Sequence, residues 1–332
     1  MKQFLKIFFP TFFLSLFLLY EGYFALFKHQ IFKEDFSVTK FKFHEVKNEI
    51  QNGLPLLIGD CTLMNDVDPR LLSFKTYNLA IPCSGPFEFN YLLKQIDIEN
   101  KKPPFIIFSS HIKKLTNQVN CFDEMFLSFN FLNWNELWEV YNSPGIVKYF
   151  KKTSSNEVLL EMLKYSLNFH SNQTNFLRKF QSNEKIKSKD EIYNLIKQNK
   201  GYYISYFPEG FPFENPEDSY QNSFKMDEFE QFYFEKFMNK LNSLNVPIYI
   251  IHPPYSETYK KLLGENYIKS INLYFNELNK KYSNIKYIEE MMFLPNKYYF
   301  DAAHVTPEGT KIFTSWLDEK VSKLETQKTL AK

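Results

Sequence analysis

Short, unbroken apolar runs recur along the chain, separated by longer amphipathic stretches. Leu54–Ile58, Tyr77–Ile81, Phe105–Phe108, Val246–Ile251 and Ile285–Ile288 are continuous rather than alternating. That pattern predicts five strands covered on both faces. Helical periodicity lies between them. "SGPFEFNYLLKQIDIEN" puts Phe87, Tyr91 and Leu92 on one face, with Ser84 as its cap. "MDEFEQFYFEKFMNKLNSL" gathers Phe229, Phe232, Tyr233, Phe237 and Leu241 on one stripe, which reads as core packing. After the last strand, Thr306-Pro307 fits the cap and first position of a helix, with Ile312, Trp316 and Leu317 expected to face inward. Strand and helix in alternation predict a three-layer α/β fold with a mostly parallel five-stranded sheet.

The third and fourth strands are too far apart for one crossover. Residues 120–222 therefore read as a helical, aromatic-rich insertion, with helical pieces at 135–141, 156–180 and 189–198 and the loop "GYYISYFPEGFPFENPEDSY". The α/β domain is then 54–119 with 223–320, behind a connector at 31–53 and ahead of a polar tail at 321–332. No internal repeat is present.

The amino terminus departs from this pattern. Lys2 and Lys6 precede an uncharged run from Ile7 to Tyr20, and a second apolar patch follows from Tyr23 to Phe27. Together they approach the length that spans a bilayer core, and no small-residue cleavage site follows. Residues 1–30 are expected to be an uncleaved single-pass anchor in the cytoplasmic membrane, with the globular part outside the cytoplasm.

Composition narrows the function classes. The 332 residues carry a formal charge of +2 with no basic block, so nothing favours nucleic acid. Three scattered cysteines make neither a disulfide framework nor a zinc module. Neither a cofactor nor a metal is implied. The 37 Phe and 22 Tyr against 9 Gly point to an aromatic core.

Two stretches carry candidate chemistry. The first strand ends in Gly59-Asp60-Cys61. Near the other end Asp301 and His304 stand three apart, just before a helix. A carboxylate at that spacing can hold the imidazole Nδ1–H and leave Nε2 to take a proton from a nucleophile. His252 and His111 end strands and are read as loop residues. Cys121 is read as a buried thiol of the insertion. His29, His44 and His170 have no evident partner, and Asp60 is read as a brace for the nucleophile loop.

Gly59-Asp60-Cys61 together with Asp301-x-x-His304 resembles the SGNH (GDSL-type) hydrolase superfamily. The stretch "IGDCTLMNDVDPRLLSFKTYNLAIPCSGPFEFNYLLK" resembles its envelope-associated branch, which includes membrane-anchored proteins of polysaccharide O-acetylation and teichoic acid D-alanylation. The resemblance covers 54–110 and 246–317. It implies a flavodoxin-like fold with nucleophile, base and orienting carboxylate at Cys61, His304 and Asp301. It also implies an oxyanion hole from the Cys61 N–H and a donor at Gly85, with Cys83 and Ser109 beside it in the cleft. The expected activity is an esterase or O-acyltransferase acting on an acylated envelope glycan or lipid. The alternative is an inactive relative that binds such a glycan or a membrane-bound acyltransferase.

The chain departs from that family's pattern at several positions. Cys61 replaces Ser, Asp66 replaces a turn Gly, Cys83 stands where Gly is usual, and Ser109-Ser110-His111 replaces a segment with Asn. A Cys61–Cys83 disulfide that silences or gates the nucleophile is an alternative, and so is a zinc ion held by Cys61, Cys83, Asp301 and His304, although their spacing is not that of a known zinc module. In the inactive reading Cys61 is a small buried residue.

Overall fold

The computed structural model describes residues 34–44, 53–95, 102–116, 131–167, 189–204 and 223–330, with a few isolated positions besides. In chain order its main elements are α1 (Glu34–His44), β1 (Leu56–Gly59), α2 (Cys61–Asp66), β2 (Tyr77–Asn78), α3 (Pro86–Gln95), β3 (Ile106–Ser109) and α4 (Ile112–Leu115). Next come α5 (Trp134–Tyr141), α6 (Ile146–Tyr149), α7 (Ser155–Leu167), α8 (Lys189–Gln198) and α9 (Glu228–Ser243). The chain closes with β4 (Ile248–Ile251), β5 (Tyr255–Ser256), α10 (Glu257–Lys281), β6 (Ile285–Tyr287), β7 (Phe293–Leu294) and α11 (Pro307–Leu330).

The five apolar runs form one sheet in the order β2-β1-β3-β4-β6, every pair parallel. Leu56, Leu57, Ile58, Ile106, Ile107, Ile248 and Tyr249 are wholly buried, as strands with both faces covered require. The strand order reverses at β1. Right-handed crossovers then put the connection after β1 on one face and those after β2, β3 and β4 on the other. Ring contacts follow that division. Phe87 meets Tyr233 at 4.8 Å, Phe89 meets Phe108 at 5.2 Å and Phe108 meets Phe237 at 5.0 Å, joining α3 and α9 over the sheet. Phe234 of α9 also reaches Phe275 of α10. On the other face α11 packs on α2. The chain is thus an α/β protein with a five-stranded parallel sheet between helical layers, compatible with a flavodoxin-like fold.

Gly59 is dictated by strand proximity. A Cβ there would stand 1.9 Å from the Ser109 carbonyl oxygen, so β1 and β3 approach closely only with glycine at this position.

Several expectations are corrected. Ser84 does not cap α3. Its hydroxyl donates to the carbonyls of Ile81 (2.8 Å) and Gly59 (3.3 Å), and the helix begins at Pro86. The inward stripe of α11 is Phe313, Leu317 and Val321, while Ile312 is 37 % exposed and Trp316 half-buried. The 31–53 connector contains α1, which is partly buried against α8 and α3. A short parallel pair, β5 with β7, had no sequence signal.

The insertion is joined to the sheet. After α8 the Lys200 carbonyl accepts from the Asn78 N–H at 2.8 Å, and Gly201, at φ 87°, lies so close that a Cβ would meet the Asn78 oxygen at 2.0 Å. The helix expected over 156–180 is described as α7 up to Leu167. The rest of it, the loop beyond Ile204 and nearly all of the apolar run 7–27 lie outside the described residues. Among the described residues no helix is long and apolar enough to cross a membrane.

Candidate active site

Parallel pairing aligns the carboxyl ends of the central strands. Gly59 lies opposite Ser109, and Ser109 opposite Ile251. The reversal of strand order between β1 and β3 opens a crevice at that edge, where open α/β sheets take their ligands. Cys61, the first residue of α2, emerges there half-buried.

Asp60 fixes the turn. Its Oδ1 accepts from the Thr62 N–H (2.9 Å) and hydroxyl (2.5 Å). Its Oδ2 accepts from the Ser110 hydroxyl (3.1 Å) and the His111 N–H (2.7 Å). One buried carboxylate thereby caps α2 and ties the end of β1 to the end of β3. It acts as the brace expected of it.

The other half comes from the loop before α11. Phe300 N–H donates to the His304 carbonyl at 2.9 Å, and Tyr299 bridges Val305 antiparallel, closing a small hairpin. At its tip Asp301 Oδ1 accepts the N–H groups of Ala303 and His304, both at 2.8 Å. The His304 ring puts Nδ1 at 2.8 Å from Asp301 Oδ2. Thr306 caps α11 through its hydroxyl, which accepts from the Gly309 N–H at 3.3 Å.

Cys61 lies against the remaining side of the His304 ring. The sulfur falls outside strict hydrogen-bond geometry, yet it acts on the ring both as a hydrogen-bond partner and as a charge. Slack contacts of this kind are common before substrate binds. Burial alone would lower the His304 pKa. The charge of a Cys61 thiolate, the hydrogen bonds to Asp301 and Cys61, and the Asp301 charge together raise it well above its ordinary value. Burial would raise Asp301, but the hydrogen bonds from the His304 ring and the two backbone N–H groups bring it below its usual value. Cys61, His304 and Asp301, expected together from sequence, are brought together.

The other expected site residues fare differently. Cys61 carries a free thiol and Cys83 is disulfide-bonded, so the two are not joined to each other. Cys121 lies outside the described residues. No group of three or more His, Cys, Asp and Glu that could hold a metal ion occurs among the described residues, so the zinc expectation is unsupported. Cys83 adopts φ 54°, the left-handed region where glycine is easiest, at the position where the resembled family carries glycine. Gly85 is corrected as a donor, because its N–H is given to Glu88 Oε2 at 2.8 Å at the start of α3. That pairing of Gly85 with a Glu three residues on is a capping-box signal already present in "SGPFE". Ser109 is wholly buried opposite Gly59, with no hydrogen-bond partner for its hydroxyl among the described residues, so it does not line an open cleft.

His252 is packed away at the end of β4. Its Nε2 pairs with the Tyr287 hydroxyl at 2.6 Å, and burial pushes its pKa down to about 3. Asp66, in sequence only a departure at a turn, is fully buried beneath the His304 loop and accepts the Val305 N–H at 3.2 Å. Burial outweighs the His304 charge and the Val305 bond and raises its pKa well above the usual carboxylate value. An open depression lined by Tyr141, Gly145, Lys148 and Asp227 lies between the insertion and the start of α9 and shares no residue with the Cys61–His304–Asp301 cluster.

Fold and site together define an α/β protein with a thiol, an imidazole and a carboxylate gathered at the carboxyl edge of a parallel sheet. No family model, no curated protein and no solved structure matches the chain.

Proposed function

We propose that the protein is an SGNH-like esterase or O-acyltransferase working through a Cys-His-Asp triad. It would be held at the cytoplasmic membrane by its amino-terminal segment, with the globular part outside the cytoplasm. The substrates would be acyl esters of an envelope glycan or lipid. One observation carries the reading: His304 is bonded through Nδ1 to Asp301 while its other side meets Cys61.

The chemistry follows from that arrangement. Cys61 sulfur attacks the ester carbonyl carbon, a C–S bond forms, and the carbonyl π pair moves onto oxygen. Collapse of the tetrahedral adduct breaks the C–O bond, and His304 protonates the departing alcohol. Water or a sugar hydroxyl then attacks the thioester and gives its proton to His304. The C–S bond breaks and the thiolate returns. Asp301 holds the ring's orientation and stabilises the imidazolium.

The test is alkylation of Cys61 by iodoacetamide together with turnover of p-nitrophenyl acetate, in the full chain in detergent. Both should fall in His304→Ala, and Cys61→Ser should turn over acetyl esters faster than the wild type. Equal labelling with and without His304, and no ester turnover in any variant, refutes the reading.

A second reading has one observation in its favour. The Gly85 N–H is committed to Glu88, which removes a donor that the active family members use. The chain would then be a non-catalytic protein binding an acylated glycan or a membrane-bound acyltransferase. Binding that survives Cys61→Ala unchanged favours it.

A further inference from the structure

Two of the chain's three tryptophans lie on the surface, and both belong to α5. Trp134 is 76 % exposed and Trp138 62 %. They stand four apart, so they share one face of the helix, with Cβ atoms about 5–6 Å from each other. Tyr141 continues the row. Its ring stacks on Trp138 at a centroid distance of 5.3 Å and an interplanar angle of 29°. Tyr141 also lines the open depression of about 1010 Å³ between the insertion and α9. Rings and depression are therefore one continuous surface.

That surface is firmly seated. Asn133 and Glu136 close a capping box at the start of α5. The Ser143 and Tyr233 hydroxyls pair at 2.7 Å, which ties the end of α5 to α9. Gly145, at φ 72°, lies so close to α9 that a Cβ would stand 2.7 Å from the Phe229 nitrogen. The charges balance. Lys148 pairs with Asp227 at 2.7 Å and Lys152 with Glu161 at 3.2 Å, while Lys151 and Glu228 add one charge of each sign. Nothing there selects a phosphate or an anionic lipid surface. Asn142 and Ser155 add neutral hydrogen-bonding groups to the lining. Bare aromatic faces beside a hollow without net charge suit a ligand with C–H faces and hydroxyl edges. A pyranose has both, and one helical turn between the two indole rings is close to the length of one sugar unit.

We propose that Trp134, Trp138, Tyr141 and the depression form a binding site for a neutral oligosaccharide, with pyranose faces stacked on the rings and hydroxyls turned to the polar lining. The site begins on the same side of the sheet as Cys61. α9 leads into the parallel strand β4, so its first turn lies at the carboxyl edge. In that turn Phe229 meets Gly145, and the adjacent Glu230 Oε2 would stand 3.6 Å from a Cβ on Gly85, in the loop after β2. One turn of α9 thus joins the depression to that loop. The assignment needs no chemistry at Cys61, so it goes beyond the catalytic reading and can fail apart from it.

Isothermal titration calorimetry of the full chain, in a detergent without sugar headgroups, tests the site with cellohexaose, chitohexaose and mannohexaose. At least one should bind saturably. Trp134→Ala and Trp138→Ala should each weaken that binding about tenfold at an unchanged urea midpoint. Trp138→Phe keeps a ring and should lose less. No binding of any of the three, or alanine variants that bind as the wild type does, overturns the assignment. A second measurement examines lipid as the occupant. In vesicles of brominated phosphatidylcholine and phosphatidylglycerol, the emission lost in the double alanine variant should be unquenched in the wild type. Strong quenching puts the rings in the acyl layer and overturns the glycan site. Ester turnover without saccharide binding overturns this inference alone, and saccharide binding without turnover of p-nitrophenyl acetate overturns the catalytic reading alone.

Discussion

Asp60→Asn is the most informative single-atom change, because the four bonds to that carboxylate dictate its outcome. The group is fully buried, and each oxygen takes one backbone N–H and one hydroxyl, from Thr62 on one side and from His111 and Ser110 on the other. Four incoming donors suit only an acceptor, the carboxylate form. A carboxamide of the same shape must turn its NH₂ toward one pair. A hydroxyl can rotate and accept, but a backbone N–H cannot. In either orientation one buried backbone N–H is stranded, at about 1–3 kcal/mol, and the surviving bonds lose their charge assistance. Relief from burying a charge returns part of this. The net expectation is a loss of about 2–4 kcal/mol. Urea unfolding of the full chain, followed by tryptophan fluorescence, measures it, and iodoacetamide alkylation of Cys61 should change in step. A variant within about 0.5 kcal/mol of wild type, the range of an ordinary surface substitution, would show that Asp60 does not hold the two strand ends together.

Three further outcomes are expected. Gly59→Ala puts a methyl 1.9 Å from the Ser109 carbonyl. The β1–β3 pair must then separate, costing more than the about 1–3 kcal/mol of ordinary overpacking, so folded yield should collapse; recovery of native circular dichroism would refute it. Asp66 has a raised pKa in the folded state, so its contribution is fully present below about pH 3.9, the unfolded value, and is lost as pH rises through the folded value. Asp66→Asn should therefore gain over wild type with rising pH, by up to about 1.4 kcal/mol per pH unit beyond the unfolded value, and parallel denaturation curves across pH would contradict it. His252 has its pKa depressed to about 3, so its contribution is present above about pH 6.5 and is lost as pH falls toward the folded value. His252→Phe should flatten acid destabilisation there by up to about 1.4 kcal/mol per pH unit, read from urea midpoints; an unchanged acid slope refutes it.

The sheet is legible in the sequence because its strands are unbroken apolar runs, and each expected run overlaps an observed strand, β1 and β3 continuing one residue further to Gly59 and Ser109. Their alternation with amphipathic helices also sets the parallel order. The Cys61–His304–Asp301 cluster is legible because Cys61 follows the end of a strand and Asp301 and His304 share one turn before a capped helix. What the sequence hides depends on contacts between distant segments. His111 Nδ1 takes the nearby Lys113 N–H, but its ring is buried against Tyr255 and Tyr259, far along the chain. The commitment of Gly85 is readable from Glu88, whereas the family resemblance points the other way. Asp66 looks like a turn residue because nothing local shows that Val305 comes to lie over it. The two-residue strands β5 and β7 are too short to carry any period.

One contact changes how the segment from 120 to 222 is to be understood. β2 is the outermost strand of the sheet, and the Lys200 carbonyl with its neighbouring glycine satisfies the main-chain amide that β2 would otherwise present to solvent. Unsheathed strand borders recruit other chains. The excursion between the third and fourth strands is therefore a guard as much as an appendage. A chain shortened to the α/β domain alone would gain a sticky flank, and its self-association would report on the guard's loss before any change at the edge that holds Cys61 and His304.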